Sequence, residues 1–174
     1  MASSDVLVDA FERIRDALHP AVNDLSIEQL AFRPDGESNS VGWLVWHLTR
    51  IQDDHVAGLH GGDQVWLAGG WAERFALPLK PFDTGYGHGP EDVVKVIADA
   101  TLFLGYFEAV HQNTVAYVRT LSDADLERVI DSSWDPPVTV GIRLVSVIAD
   151  DLQHVGQAAY VRGVVQRLED STGG

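Results

Sequence analysis

Apolar residues return at intervals of three and four through four long stretches of the chain, with polar residues between them. That period puts the apolar side chains on one face, so each stretch predicts an amphipathic α-helix. The first runs from Ser4 toward Leu25 and carries Val6, Leu7, Ala10, Phe11, Ile14 and Leu18 on one face. Pro20 has no backbone N–H to donate and is expected to bend this helix or end its regular part. Ser26, with Gln29 three residues on, has the form of a capping box for a short turn, and "PDGESN" after it reads as a loop. A second helix follows a cap at Ser40 and stops at Gly61-Gly62, with Leu44, Leu48, Ile51, His55 and Leu59 in its stripe and His47 beside it.

Pro90 suits the first turn of a third helix, and Glu91 and Asp92 suit its positive end. This helix is expected to run unbroken to about Leu121 along Val93, Ile97, Ala100, Leu104, Phe107, His111 and Val118. Ser122 opens another short turn, "SSWDPP" is a loop, and a fourth long helix spans about Val140 to Leu168. The strand-like runs "VVKVIA" and "RLVSVIA" lie inside longer stretches of helical period and are read as helix. Residues 63–89 keep no period, are punctuated by glycine and proline, and still hold five large aromatics. A connection this long reads as a packed functional loop or lid, with "WAERFAL" as a short helix inside it. The pattern predicts an all-α fold, a four-helix bundle with a long lid loop between helices 2 and 3. One domain is expected over residues 1–170, with a flexible tail at 171–174.

Composition narrows the partners. A chain of 174 residues can bury a substantial core unaided. Its net charge of −14, from 26 acidic against 12 basic side chains, repels phosphate backbones and argues against nucleic-acid binding. The absence of cysteine excludes disulfides, thiolate metal ligands and a cysteine nucleophile. "MASSDVLVDAF" lacks the basic region and apolar run of a signal peptide, and no stretch approaches the ~18 apolar residues of a membrane span. A cytoplasmic protein with no membrane partner is the expectation.

The segment "ADDLQHVGQAAYV" sets a carboxylate, an imidazole and an amide on a face that otherwise looks built for burial. Asp150 and His154 are one helical turn apart, about 6 Å along the axis, close enough to converge on one small ion. The third ligand must come from another helix, and His47 is the best placed; three protein ligands leave a position open for water or substrate. The plainer alternative is that Asp150, next to Asp151, is a solvated carboxylate and His47 a hydrogen-bonded core histidine. The residues alone leave both open. His55 and His111 are read as core histidines, and His19, His60 and His88 as surface or loop residues. Gln157 suits a hydrogen bond that orients a ligand from outside the coordination shell. No G-x-S-x-G supports a serine nucleophile, and the glycine pairs lack the lysine of a phosphate loop. Trp66, Trp71, Phe82 and Tyr86 are candidates for the pocket wall, and Arg143 for binding an anionic substrate.

"SVGWLVWHLTRIQDDHVAGL" and, far downstream, "DDLQHVGQAAYVRGV" resemble the DinB-like superfamily, and the likeness extends over nearly the whole chain. The resemblance implies a four-helix bundle holding a divalent metal with one histidine of the second helix and an H-x-x-x-H pair of the last. His47 in "WHL" and His154 in "HVGQ" take two of those places. Asp150 stands where the family usually has histidine, and a carboxylate there resembles the mycothiol-dependent maleylpyruvate isomerase branch, which uses glutamate. The region "GWAERFALP…DTGYGHGPEDV" also looks like the lid of actinobacterial members. By this resemblance the chain is a metal-dependent transferase or isomerase using a low-molecular-weight thiol such as mycothiol. Zinc is favoured, nickel or iron admissible, the substrate is a small molecule and the assembly a homodimer. With no cysteine in the chain, the thiol arrives as a cosubstrate. Two alternatives remain: a hydrolase working through metal-bound water, and a non-catalytic binding or stress-response module.

Overall fold

The computed structural model describes residues 2–172. Four long helices form the frame: α1 (Ser3–Val22), α3 (Val41–His60), α7 (Ala100–Val118) and α9 (Val140–Thr172). Short helices lie between them: α2 (Ile27–Ala31), α4 (Val65–Ala68), α5 (Trp71–Phe75), α6 (Pro90–Val93) and α8 (Asp123–Leu126). Two short antiparallel strands, β1 (Val129–Asp131) and β2 (Val138–Thr139), precede α9. The molecule is the all-α bundle that the period predicts, and α9 packs between α1 and α3 while α7 closes against the same two. His47 meets His154 and His55 meets Arg143, so α3 and α9 run antiparallel. Among the described residues no helix is long and apolar enough to cross a membrane.

Local chemistry sets most of the boundaries. Ser26 Oγ accepts from Gln29 N while the Gln29 side chain accepts from Ser26 N, completing the capping box. Ser40 Oγ accepts from Trp43 N at 3.1 Å and starts α3. Gly61 ends that helix at φ 71, where a side chain would be strained, and donates to Ala57 O. Helix α1 continues two residues beyond Pro20, which sits close enough to the C-terminus that little helix remains to disrupt.

Three expectations are corrected. The third helix is not continuous, because α6 stops at Val93 and α7 starts only at Ala100. The Asp99 side chain accepts from Leu102 N at 2.8 Å, and this cap begins a new helix instead of continuing an old one. Between the two, Val96 is buried and Ile97 exposed, so "VVKVIA" is mostly a turn and irregular chain rather than helix. The short β1–β2 pair around "SSWDPP" carried no strand signal strong enough to read. Helix α9 extends through Thr172, covering the first half of the expected tail; Gly173 and Gly174 lie outside the described residues.

Helix α3 is buried on every side from Val41 to Arg50, not along one stripe. The cause is the segment 63–89, which folds over the side of α3 left free by α7 and α9. Its first half is fixed by Asp53, whose carboxylate accepts from Val65 N, Trp66 N and the Tyr106 hydroxyl at 2.7–2.8 Å. Arg50, fully buried, donates to Asp53, Tyr106, Gln64 Oε1 and the Asp83 carbonyl. Every charged group in this network has a partner, as burial demands.

Candidate metal centre

His47 lies in the buried first half of α3, and Asp150 and His154 lie one turn apart on α9 opposite it. One ligand atom from each of the three lies within 4.8 Å of the others. His154 Nε2 is 3.5 Å from Asp150 Oδ1, and the two imidazole rings stand edge to face with centroids 4.9 Å apart. His47 Nδ1 is 2.6 Å from the Thr84 carbonyl, and His154 Nδ1 is 2.9 Å from Gln157 Oε1. Both oxygens only accept, so in its neutral form each ring carries its proton on Nδ1 and its lone pair on Nε2. Asp150 Oδ2 is buried with no hydrogen-bond partner.

This donor set fits a divalent cation. Tetrahedral zinc with bonds of ~2.0–2.1 Å holds its donors roughly 3.3 Å apart. Asp150 and His154 are already near that spacing, and small side-chain rotations would bring in His47. An unpartnered buried carboxylate oxygen between two imidazoles with outward lone pairs lacks an electropositive partner. The backbone carbonyl on His47 and the amide oxygen on His154 are the kind of outer support that fixes ring orientation at metal sites.

Burial and mutual contact set the charges of the three groups. Burial pushes His47 below its ordinary pKa, and the neighbouring His154 adds to this, against the Thr84 bond. Burial also pushes His154 down, but its bonds to Asp150 and Gln157 outweigh that and hold it above the usual value. Asp150 is driven up by burial and, more strongly in sum, down by His154 and the nearby histidines, ending below the usual carboxylate range. The carboxylate is therefore ionised at neutral pH, as a ligand must be.

The wall around these residues differs from the expected one. Trp66 and Trp71 belong to the core, packed on Tyr106 with centroids at 5.0 and 5.7 Å, and Phe82 and Tyr86 project into solvent at 70% and 89% exposure. The four aromatics are thus not gathered at the cluster. Trp66 is drawn inward because its own backbone N–H caps on Asp53. The aromatic beside the site is Trp43, stacked on His47 at 4.6 Å and edge-on to His154 at 6.3 Å. His88, expected on the surface or in a loop, is in the loop but turned inward against Trp43 and Trp46; its Nδ1 accepts from Trp43 Nε1 and its Nε2 donates to Asp83 Oδ1. Gly85, at φ +88, packs so closely that a Cβ there would come 2.7 Å from His47 Nδ1. The second half of the expected lid thus holds His47 in place.

An open groove of 610 Å³ runs beside His154. Leu44, Val161 and Tyr160 give it apolar surface, and Asn39, Gln153 and Gln157 give it amides. Further down the same two helices, Arg143 meets His55. Asp151, next to the proposed ligand, is fully buried with both oxygens unpartnered. Its place was legible, since Leu144, Val147, Asp151, Val155 and Ala158 keep helical spacing and all are buried.

The family model described as DinB superfamily matches residues 10–158. No curated protein matches the chain. A solved structure described as the crystal structure of the conserved protein of locus from Enterococcus faecalis is similar to it at 32% identity, with a TM-score of 0.88. That likeness covers 93% of this chain and 96% of the other.

Proposed function

Because this chain belongs to the DinB superfamily, we propose that it is a divalent-metal-dependent enzyme whose ligands are His47, Asp150 and His154. The observation that carries this reading is the convergence of one ligand atom from each of His47, Asp150 and His154 within 4.8 Å, with Asp150 Oδ2 buried and without a hydrogen-bond partner. Zinc suits a site of two imidazoles and a carboxylate, and nickel or iron accept the same donors. Three protein ligands leave a coordination position for substrate.

The reaction is transfer or isomerisation with a low-molecular-weight thiol, mycothiol being the type. A bound divalent metal supplies the Lewis acidity that keeps a thiol as thiolate near neutral pH. The chain's own residues bind and orient. The groove beside His154 offers amides from Asn39, Gln153 and Gln157 and a ring face from Tyr160, with no basic side chain. Such a lining favours a neutral, hydroxyl-rich cosubstrate over an anionic one. Trp43 shields His47 from water on one face, and Gln157 holds the His154 proton on Nδ1. Asp150 lowers the net charge of the filled site and tempers its acidity relative to three histidines.

Zinc titration followed by thermal unfolding tests the metal. One equivalent is expected to bind, and at free zinc of about 100 times Kd it should stabilise the fold by about 2.7 kcal/mol. His154→Ala should abolish both effects while remaining folded. A chain that binds no metal stoichiometrically sinks the reading. Turnover of small electrophiles with and without mycothiol tests the chemistry, and hydrolysis indifferent to added thiol would replace transfer with attack by metal-bound water.

A further inference from the structure

We propose that His88 is a positioning residue for the metal ligand His47 and acts through Trp43. Its Nδ1 holds the Trp43 indole flat on the His47 ring, and that indole face tightens metal binding. The gain in metal binding rests on the metal reading above; the ring geometry belongs to the metal-free chain and is tested there.

Helix α3 brings the two rings together but does not set the angle between them. Trp43 and His47 are four residues apart, so one side chain lies over the other. The torsion that turns an aromatic ring about its Cβ–Cγ bond has broad preferences, so spacing alone leaves the indole free to tilt. In the structure the ring centroids are 4.6 Å apart and the planes only 11° from parallel. The bond that selects this angle comes from outside the helix. Trp43 Nε1 donates to His88 Nδ1 at 3.1 Å. His88 can accept there because its proton is on Nε2, which donates to Asp83 Oδ1 at 2.9 Å. The same Asp83 oxygen accepts from Gly85 N, and the Asp83 carbonyl accepts from the buried Arg50. His88 is also stacked on Trp46, 17° from parallel, which holds its ring plane. One turn of chain therefore grips His47 twice, at Nδ1 through the Thr84 carbonyl and on its ring face through His88 and Trp43.

Folding by itself does not demand the bond on Trp43. Trp46 and Trp66 are at least as deeply buried, and each leaves its Nε1 without a partner. The indole that lies on a ligand has its N–H fixed by an imidazole, and that imidazole is backed by a carboxylate. An imidazole whose Nε2 lone pair goes to a cation takes on part of the positive charge, and the negative face of an indole attracts it. A parallel indole offers that face, whereas a tilted one offers its positive edge.

Two substitutions separate the two ring nitrogens of His88. His88→Asn places an amide oxygen where Nδ1 lay and still accepts from Trp43. His88→Gln places an amide nitrogen where Nε2 lay, so it still donates to Asp83 but gives Trp43 no acceptor. The first readout is the NMR signal of the His47 Cε1–H in metal-free protein, identified by its loss in His47→Gln and moved upfield by the ring current of the stacked indole. His88→Gln should move it downfield, toward an unstacked imidazole, and His88→Asn should leave it near the wild-type position. The second readout is zinc Kd by competition with a chelating dye. It should weaken about ten-fold in His88→Gln, the low end for a lost outer support, and stay near wild type in His88→Asn. In a Trp43→Phe background, which keeps a ring but has no N–H, His88→Gln should cost no further affinity. Equal shifts in the two His88 variants, no shift in His88→Gln, or a full further loss in the Trp43→Phe background overturns the assignment. A His88 that only filled space would not tell its two nitrogens apart. If the wild-type protein binds no zinc, the metal reading falls separately, and the metal-free His47 signal decides whether His88 sets the ring angle.

Discussion

Helix α3 carries two buried polar clusters about one turn apart, and they are built on opposite rules. On the side facing α7 and α4, Arg50 and Asp53 exchange hydrogen bonds with Tyr106, Gln64 and backbone groups until no charge is left unmatched. On the side facing α9, His47 meets an imidazole and a carboxylate, each ring turning its Nδ1 to an outer oxygen and one ligand atom of each residue converging within 4.8 Å. The first arrangement is complete without help and anchors the chain that follows it. The second is incomplete in a specific way, since acceptors that converge on one point lack a cation. Burial of polar groups is common to both, so burial alone does not mark a site; the sign of what is missing does.

The sharpest way to break the contrast is at Asp53. Asp53→Ala removes three accepted hydrogen bonds and leaves Arg50 buried without its carboxylate, which should cost about 3–5 kcal/mol of folding stability. Urea unfolding measures it, and the protein that remains folded should still bind zinc one to one. Loss of zinc with little loss of stability would show the two clusters to be reversed in role.

A smaller effect is expected at the joint between them. Gly85 lies in the segment anchored by Arg50 through the Asp83 carbonyl, and it abuts His47. Gly85→Ala would put a methyl group on His47 Nδ1 and strain a φ of +88. Zinc affinity should fall about 10–100-fold, in the range typical of disturbed outer-shell partners. An unchanged Kd by competition with a chelating dye would show that Thr84 and Gly85 do not position the ligand.

The smallest effect tests a charged cluster of a third kind, on the solvent side of the α1–α7 seam. Glu108 accepts from Arg15 at 2.7 Å and from His19 at 2.6 Å. Burial alone would raise its pKa, yet these two bonds outweigh it and hold the group below its ordinary value. A depressed carboxylate stabilises the fold above its unfolded pKa of ~4.3, and that contribution is lost as pH falls through the lower folded value. Glu108→Gln should therefore cost about 0.5 kcal/mol near neutral pH, with the difference vanishing in acid. A difference that grows toward low pH would reverse the assignment.

Much of the frame was readable because its causes are local. Ser26, Ser40 and Gly61 act on residues within four positions, and the long apolar stripes record burial directly. The break before α7 was missed because the periodic residues of "VVKVIA" hid a competing cap at Asp99. At the site, His47, Asp150 and His154 were found through helical spacing and family motif, and the fold brings the three together. The aromatic wall was misplaced, since residue type in an aperiodic loop does not say which ring turns inward. His88 and Gly85 were invisible for the same reason: they reach His47 and its neighbours from the far end of residues 63–89, a stretch without a period.

The sequence by itself determined four helical stretches, the caps at Ser26, Ser40 and Gly61, and the pairing of Asp150 with His154 one turn apart, because each follows from forces acting within a few residues. Only the tertiary structure decided which lone pairs converge, which charges are left without partners and which loop residue presses on a ligand. Those properties are sums over neighbours distant in the chain. A helix seen alone does not show whether the oxygen opposite it will donate, accept or wait for an ion.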